Sequence, residues 1–507
     1  MATARLPDDP SFEQLRKQAK DLRDFSRAGF QGALDLVGAH HPDGPHAVSL
    51  AGAQFVVARH YGFSSWAALR RHVTTIERYR RAPDELEEAA PGELADEFLM
   101  LACLRYGGDD APSRWERAAQ LLAAHPEITR ASVHAAAAAA DAGALAELLR
   151  ADPALASAEG GPYRWEPILY LAYARHDPAV SEDALIGSAR LLLDHGADPN
   201  AGYFWHGLIP AFTALTGALG NGEQRSGEGD QPQHACGVEL AKVLLAAGAD
   251  PNDGQALYNR QFGTDDSHLE LLFDHGLGQG DGGPWRTRLG ERADSPAELI
   301  RGQLSWAVIH DMRDRVRLLA ANGADLQTPF PTPDRFVQCV NACDGRTPAE
   351  VAAVCGCWSV LDWLVEHGGV QRPPADGPDG LIAAALAADR PAVERLAGHA
   401  SAARAQRPGL IVWAASRRAW PAIPLLAELG WDVNARARTD VPMEQEWETA
   451  LHEAASTGDI DAARRLIELG ADPGVRDARF NSTPLGWAEH FGQHAMADYL
   501  GPLTPQG

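Results

Sequence analysis

Along most of this chain, apolar positions come in paired short stretches. A first stretch is dense in alanine and leucine. A polar or glycine break follows, and a second stretch keeps the i, i+3, i+4 spacing of one helix face before closing on glycine. The clearest copy is Thr449-Ala-Leu-His-Glu-Ala-Ala455, then Ser-Thr-Gly458, then a periodic run ending Leu466-Ile-Glu-Leu-Gly-Ala-Asp-Pro-Gly474. The second half recurs at Leu191–Asn200, Val243–Asn252, Leu271–Gly276, Leu318–Asp325, Trp363–Gly368 and Leu425–Gly430. First halves recur at Glu166–Ala172, Thr213–Leu219, Gly302–Val308, Thr347–Ala353, Asp379–Ala385, Gly409–Ala415 and Thr483–Glu489, with looser copies at Phe98–Cys103 and Val133–Ala136. Each pair predicts two short helices. Thr347, Thr449 and Thr483 are expected N-caps, with Pro or Ala at the first helical position. The closing glycine is expected to cap the second helix in a left-handed conformation. Asp-Pro then turns the chain toward the next unit.

These units resemble the ankyrin repeat, whose signature is T-P-L-H-x-A with a period of about 33 residues. The resemblance implies an all-α ankyrin-repeat solenoid of ten or eleven helix-turn-helix units over residues 95–500, with residues 501–507 as a tail. It also implies a concave face, edged by finger loops, that binds a protein or peptide. The array is irregular: insertions are expected near 176–186, 223–236 and 328–346. The polar, glycine-rich segment at 221–234 reads as a flexible loop. In this family the histidine of the signature, here His452 and His134, is structural.

Residues 1–80 break the pattern. Three helices are predicted: one from Phe12, capped by Ser11; one over 49–62; and one starting near Trp66, capped by Ser64 or Ser65. The segment Ala58-Arg-His-Tyr-Gly-Phe-Ser-Ser-Trp66 and His41-Pro42 resemble the helical module that precedes ankyrin arrays in many bacterial proteins. Its expected role is an N-terminal helical cap on the open end of the array. Residues 81–94, with Pro83, Pro91 and many acids, read as a partly mobile linker.

Composition narrows the functions. Net charge is −24, which argues against a nucleic-acid partner, because affinity for phosphate backbones comes largely from Lys and Arg. Lysine is scarce: Lys17, Lys20 and Lys242 stand against 42 arginines, so Schiff-base chemistry is not expected. There is no run of 18 apolar residues and no signal-peptide core at the start, so neither a membrane partner nor a leader is expected, and the cytoplasm is the default.

No Walker-type phosphate loop, HExxH or GxSxG motif occurs, so neither a catalytic set nor a cofactor is expected. Cys339, Cys343, Cys355 and Cys357 are the one metal-like group. About 12 Å of helix, at about 1.5 Å per residue, would separate the two pairs, so zinc is not expected there. Departures from the repeat are more telling. Asn259 and Arg260 occupy slots made for small apolar residues, and Trp306, Trp413, Trp487 and Tyr170 fill leucine slots. Several fingers are long and aromatic: Gly161–Trp165, Gly202–His206, Thr328–Phe336 and Arg436–Trp447. Tyr163, Trp165, Tyr203, Trp205, His206, Tyr258, Arg260, Trp306 and His310 are the candidate binding residues. Trp205 is the expected exposed anchor, with Arg260 free to pair with a neighbouring acid or to face a ligand. A partner protein or peptide is the first reading; a small-molecule pocket, or an atypical enzyme using His206, Arg260 or His310 and Asp311, is the second.

Duplex DNA should bind more weakly than about 10 µM at physiological salt, given so few basic clusters. A gel shift showing a salt-sensitive, sub-micromolar complex would overturn this.

Overall fold

The computed structural model describes residues 4, 6–7, 10–86, 93–175, 180–222, 232, 234–331 and 343–505. The chain is mainly helical and divides into two compact units, Met1–Leu299 and Ile300–Gly507.

In the first unit, short first helices pack in a row: Leu94–Ala102, Val133–Ala138, Pro167–Tyr173, Ala214–Leu219 and Gly254–Arg260. The second helices Ala142–Ala151, Glu182–Asp194 and Gly237–Ala246 pack in a row of their own. Small residues make the first row possible. Val133–Ala138 is buried along its whole length, so the backbones of its neighbours come close. The stretch at 176–186, expected as an insertion, is partly helical, because Ser181 caps Glu182–Asp194 by accepting from Ala184 N. Residues 176–179 of that insertion, 223–231 and 233 of the second and 332–342 of the third lie outside the described residues.

In the second unit the helix pairs are Pro348–Cys355 with Trp358–His367, Gly377–Leu386 with Arg390–Leu396, Leu410–Ser416 with Ala422–Glu428, Ala450–Thr457 with Ile460–Glu468, and Pro484–His490 with His494–Leu500. The expected caps are present. Thr347 accepts from Glu350 N while the Glu350 carboxylate accepts from Thr347 N, a capping box. Thr449 and Thr483 cap their helices in the same register. Gly430 and Gly470 end second helices at positive φ, as do Gly196, Gly248 and Gly276 in the first unit. At Gly368 φ is −85°, and the left-handed residue there is Gly369.

The N-terminal module has its own core. Leu15, Leu22, Val37, Val56, Phe63, Leu69 and Val73 pack together, and Ser11, Ser49 and Ser65 cap its helices. One face remains. On the helix Trp66–Tyr79, Ile76 packs with Phe204, Ala211 and Leu289, flanked by Tyr79 and Trp285. The module therefore meets the finger at 202–212 and the helix Gly283–Leu289. The sequence reading expected it on the end of the array. The apolar face of Ile76 and Tyr79 instead finds its partners on the finger side.

The linker takes part in this. Arg80–Arg81 forms β1, Gly202–Trp205 forms β2 and Phe212–Thr213 forms β3, in the order β1-β2-β3. β1 pairs parallel with β2, Arg80 opposite Phe204 and Arg81 opposite Trp205, and β2 pairs antiparallel with β3. Within the expected linker, Arg81 is engaged through β1 and Asp84 through His206, and 87–92 lie outside the described residues. Among the described residues, no helix is long and apolar enough to cross a membrane.

Gly161 tests the close packing of the first row. It holds φ +64°, and a Cβ there would stand 2.6 Å from Tyr170 Oη. Gly161→Ala should destabilise the fold by about 1–3 kcal/mol through overpacking, read as a lower melting temperature. An unchanged melting temperature would show that the finger yields.

Candidate functional site

The expected aromatic patch exists, but it is interior. Tyr163, Trp165 and Tyr203 are only 2%, 1% and 1% exposed. Trp165 stacks on Tyr203 at 4.8 Å and lies 4.5 Å from Tyr163. Tyr170, Tyr173 and Phe212 complete the cluster. Its hydroxyls serve the backbone: Tyr163 donates to Met100 O, Tyr170 to Gly160 O and Tyr173 to Thr213 O. These rings fill the gap that long fingers leave between short helices, so as exposed anchors they are corrected.

Trp205 and His206 are half-buried, and both are engaged by the chain itself. Trp205 Nε1 donates to Arg105 O at 3.1 Å. His206 N donates to Arg81 O, and its Nε2 lies 2.7 Å from Asp84 Oδ1. The linker strand covers the expected anchor. Arg260 is buried and pairs with Asp265 at 2.7 Å, so it answers to a neighbouring acid and not to a ligand. Beside it, Asn259 accepts from Gln255 and donates to Tyr106 Oη. Tyr258, half-buried, meets Phe262 edge-on at 5.2 Å.

A buried carboxylate lies in the same unit. Burial raises Asp253 to about 6, although Thr213, Thr216 and the Ala256 N–H all donate to it. Nothing in the repeat pattern signalled this residue.

In the second unit, Trp306 is buried and stacks on His310 at 3.9 Å. His310 Nδ1 faces Trp306 O and Nε2 faces Asp440 O, each at 2.9 Å. Burial lowers its pKa, and a neutral imidazole donates to only one of the two carbonyls at a time. Asp311 accepts from Val360 N, a structural bond. His452 also behaves structurally: Nδ1 meets Thr449 and Nε2 meets Ser482 O at 3.0 Å. His134 makes the matching bond to Ala158 O.

Cys343, Cys355 and Cys357 are buried, and Cys339 lies outside the described residues. Burial pushes the Cys355 thiol up to about 11 and raises Cys357 well above the ordinary thiol value. Cys357 Sγ donates to Ile309 O at 3.4 Å, and Cys343 Sγ meets Ser305 Oγ at 3.4 Å. These thiols pack as core groups.

Aromatic groups that do reach solvent lie elsewhere: Phe25 and Phe30 in the N-terminal module, and a group on two adjacent fingers of the second unit. The first of these fingers is Arg436–Trp447, closed by an antiparallel bridge between Ala437 and Glu448. The second runs from Arg476 to Ser482 and joins it through Ala478 N to Trp447 O at 2.8 Å. Trp447 is held between two guanidinium groups, Arg438 and Arg479, each 3.9 Å from a ring centroid. Phe480 sits at the tip, 62% exposed.

A buried carboxylate builds that tip. Asp477 accepts from Arg479 N, Phe480 N, Ser482 N and Trp487 Nε1. Burial works to raise its pKa, but these donors prevail and the net shift is downward. The ionised form is therefore the one the turn is built on. Behind Phe480, Trp487 lies 6.4 Å away and Phe491, 37% exposed, a further 5.8 Å from Trp487. The sequence reading named the first finger as aromatic but missed the second. Its signal was one apolar residue, Phe480, at the centre of the polar turn Asp477-Ala-Arg-Phe-Asn-Ser482.

Residues 451–500, which include this second finger, match the family model for ankyrin repeats (many copies). No curated protein matches the chain.

Glu448 gives the paired fingers a pH dependence. It is buried, accepts from Thr439 Oγ1 through Oε1, and burial raises its pKa to about 7. The unfolded chain ionises near about 4.3, so the folded state holds the proton more tightly. Its stabilising effect is complete below that value and is lost as pH rises toward 7. Glu448→Gln should lessen the fall in melting temperature between pH 5 and pH 8. A parallel fall in both proteins would remove Glu448 from the account.

Proposed function

We propose that this chain is an ankyrin-repeat binding protein whose fingers Arg436–Trp447 and Arg476–Ser482, with the concave face they edge, recognise a protein or peptide. Ankyrin repeats are in general protein-interaction modules. The observation that carries the reading is Phe480. A phenyl ring that costs free energy in water is held outward by a turn in which one buried carboxylate accepts from three finger amides, those of Arg479, Phe480 and Ser482. Beside it, Trp447 is braced by two arginines. Aromatic and arginine side chains dominate the energetics of protein interfaces. Pre-ordering them lowers the entropy that binding must offset.

The same geometry suggests the chemistry of the partner. Phe480 and Phe491 offer apolar contact, and Arg479 offers a guanidinium plane. A segment presenting an apolar or aromatic residue next to a carboxylate would meet both.

A small-molecule reading keeps one observation of its own. Tyr203 Oη and Trp165 Nε1 are buried without a hydrogen-bond partner among the described residues, and unmet buried polar groups of this kind call for an explanation. They belong to stacked rings of one cluster, where a compact polar ligand would satisfy them.

The test is a paired capture from lysate of the native source, using the wild-type chain and Phe480→Ala. A protein enriched by the first and lost from the second supports the finger site; truncating an interface aromatic of this kind should cost about 2 kcal/mol or more in affinity. Equal capture by both would overturn it. Because Phe480 is exposed, the melting temperature should stay within about a degree or two, since surface substitutions rarely exceed 0.5 kcal/mol. Small molecules released when the captured wild-type chain is denatured test the second reading.

A further inference from the structure

The N-terminal module has a further helix, Gln31–His40, and the loop joining it to the helix Leu50–His60 carries His41-Pro-Asp-Gly-Pro-His46. None of the binding readings uses it. His41, Asp43 and His46 each offer one ligating atom, and these atoms all lie within 4.8 Å of one another. His41 and His46 are half-buried, whereas Asp43 is exposed. Their rings stand nearly perpendicular, at 77° with centroids 4.7 Å apart, and His41 is braced edge-on by Phe55 at 5.9 Å.

The hydrogen bonds fix which nitrogens are available. His46 Nδ1 lies 2.8 Å from Gly44 O. A carbonyl only accepts, so Nδ1 carries the proton and the lone pair stands on Nε2. An imidazole whose other nitrogen donates to a backbone carbonyl is the usual arrangement of a metal-bound histidine. His41 Nδ1 accepts from Asp43 N at 3.3 Å, a long hydrogen bond that a metal at that nitrogen would displace. Asp43 Oδ2 stands 3.7 Å from that nitrogen, beyond hydrogen-bond reach.

The backbone favours the same occupant. His41 is the C-cap of the helix Gln31–His40, its N–H bonded to Val37 O, and a helix C-terminus attracts positive charge. Pro42 and Pro45 restrict the loop, which lowers the conformational entropy to be lost on binding.

The geometry points to a divalent transition-metal site formed by His41, Asp43 and His46, with Zn²⁺ the best match. Two imidazoles and one carboxylate are a borderline donor set suited to zinc and its neighbours rather than to calcium or magnesium. Zinc holds such donors at about 2.0–2.2 Å, so the three side chains close inward by rotation of their exposed ends. Three protein ligands leave one tetrahedral position open. The nearby pair His40 and His60, with Nε2 and Nδ1 at 3.4 Å, is separate and supplies a control.

The experiment is calorimetric titration of the reduced, metal-free full chain with Zn²⁺ alone, set beside Asp43→Asn, His46→Gln and His60→Asn. Asp43 is exposed, so its variant keeps the fold even if His46→Gln does not. The wild-type chain and His60→Asn should bind one more equivalent than the other two, or bind it at least about tenfold more tightly, the size of loss that removing even a supporting partner of a ligand brings. Titration with Co²⁺ should give a visible ligand-field band in the same two proteins only. Equal stoichiometry and affinity in all four, or a loss confined to His60→Asn, would overturn the site.

Discussion

A hairpin of two helices, each six to thirteen residues long, has no interior of its own. Its apolar face becomes a core only when another hairpin is laid against it, and that requirement governs the rest of this structure. It explains why the first helices are rich in alanine, since rows of helices touch along their whole length. It explains why polar residues inside those helices come with partners, as Asn259 does with Tyr106 and Gln255. It also explains the fingers. Where a short helix leaves space, a finger folds in and fills it; where packing is complete, the finger is free to carry a side chain outward.

The two kinds of finger differ in what their aromatic rings touch. In the first unit, the fingers at 161–165 and 202–212 fold inward, and Tyr163, with Tyr170 and Tyr173 of the helix beside it, spends its hydroxyl on a backbone carbonyl. In the second unit, the turn at 477–482 spends its hydrogen bonds on a carboxylate, and the phenyl ring is excluded from the core. The same residue class therefore stabilises the fold in one place and stays available in the other. Sequence alone does not separate them, because the deciding term is the volume left between helices.

That contrast marks how far the sequence could be read. Repeat phase, the threonine caps and the left-handed glycines were legible, because each depends on residues within a few positions of one another. Thr347 and Glu350 need only a spacing of three. The aromatic patch was read correctly as a cluster and wrongly as a surface: Trp165 and Tyr203 are neighbours, but nothing local reveals what covers them. The pairing of Arg80 and Arg81 with Phe204 and Trp205 was not legible at all. It joins segments more than a hundred residues apart, through backbone groups that carry no side-chain signature. Asp477 was hidden for a related reason. An aspartate before a turn is ordinary, and its four donors become apparent only when the chain has turned.

The parallel pairing of β1 with β2 also sets an order of events during synthesis. Ile76 and Tyr79 leave the ribosome long before Phe204 and Leu289, the residues that cover them. At about 5–20 residues per second, the module waits roughly 6–26 seconds with that face bare. Its own core, centred on Leu15, Val56 and Leu69, is complete by then, so the nascent chain is a folded domain with one uncovered apolar stripe. In that interval the stripe is open to chaperones and to other nascent chains, and arrival of the finger at 202–212 ends it.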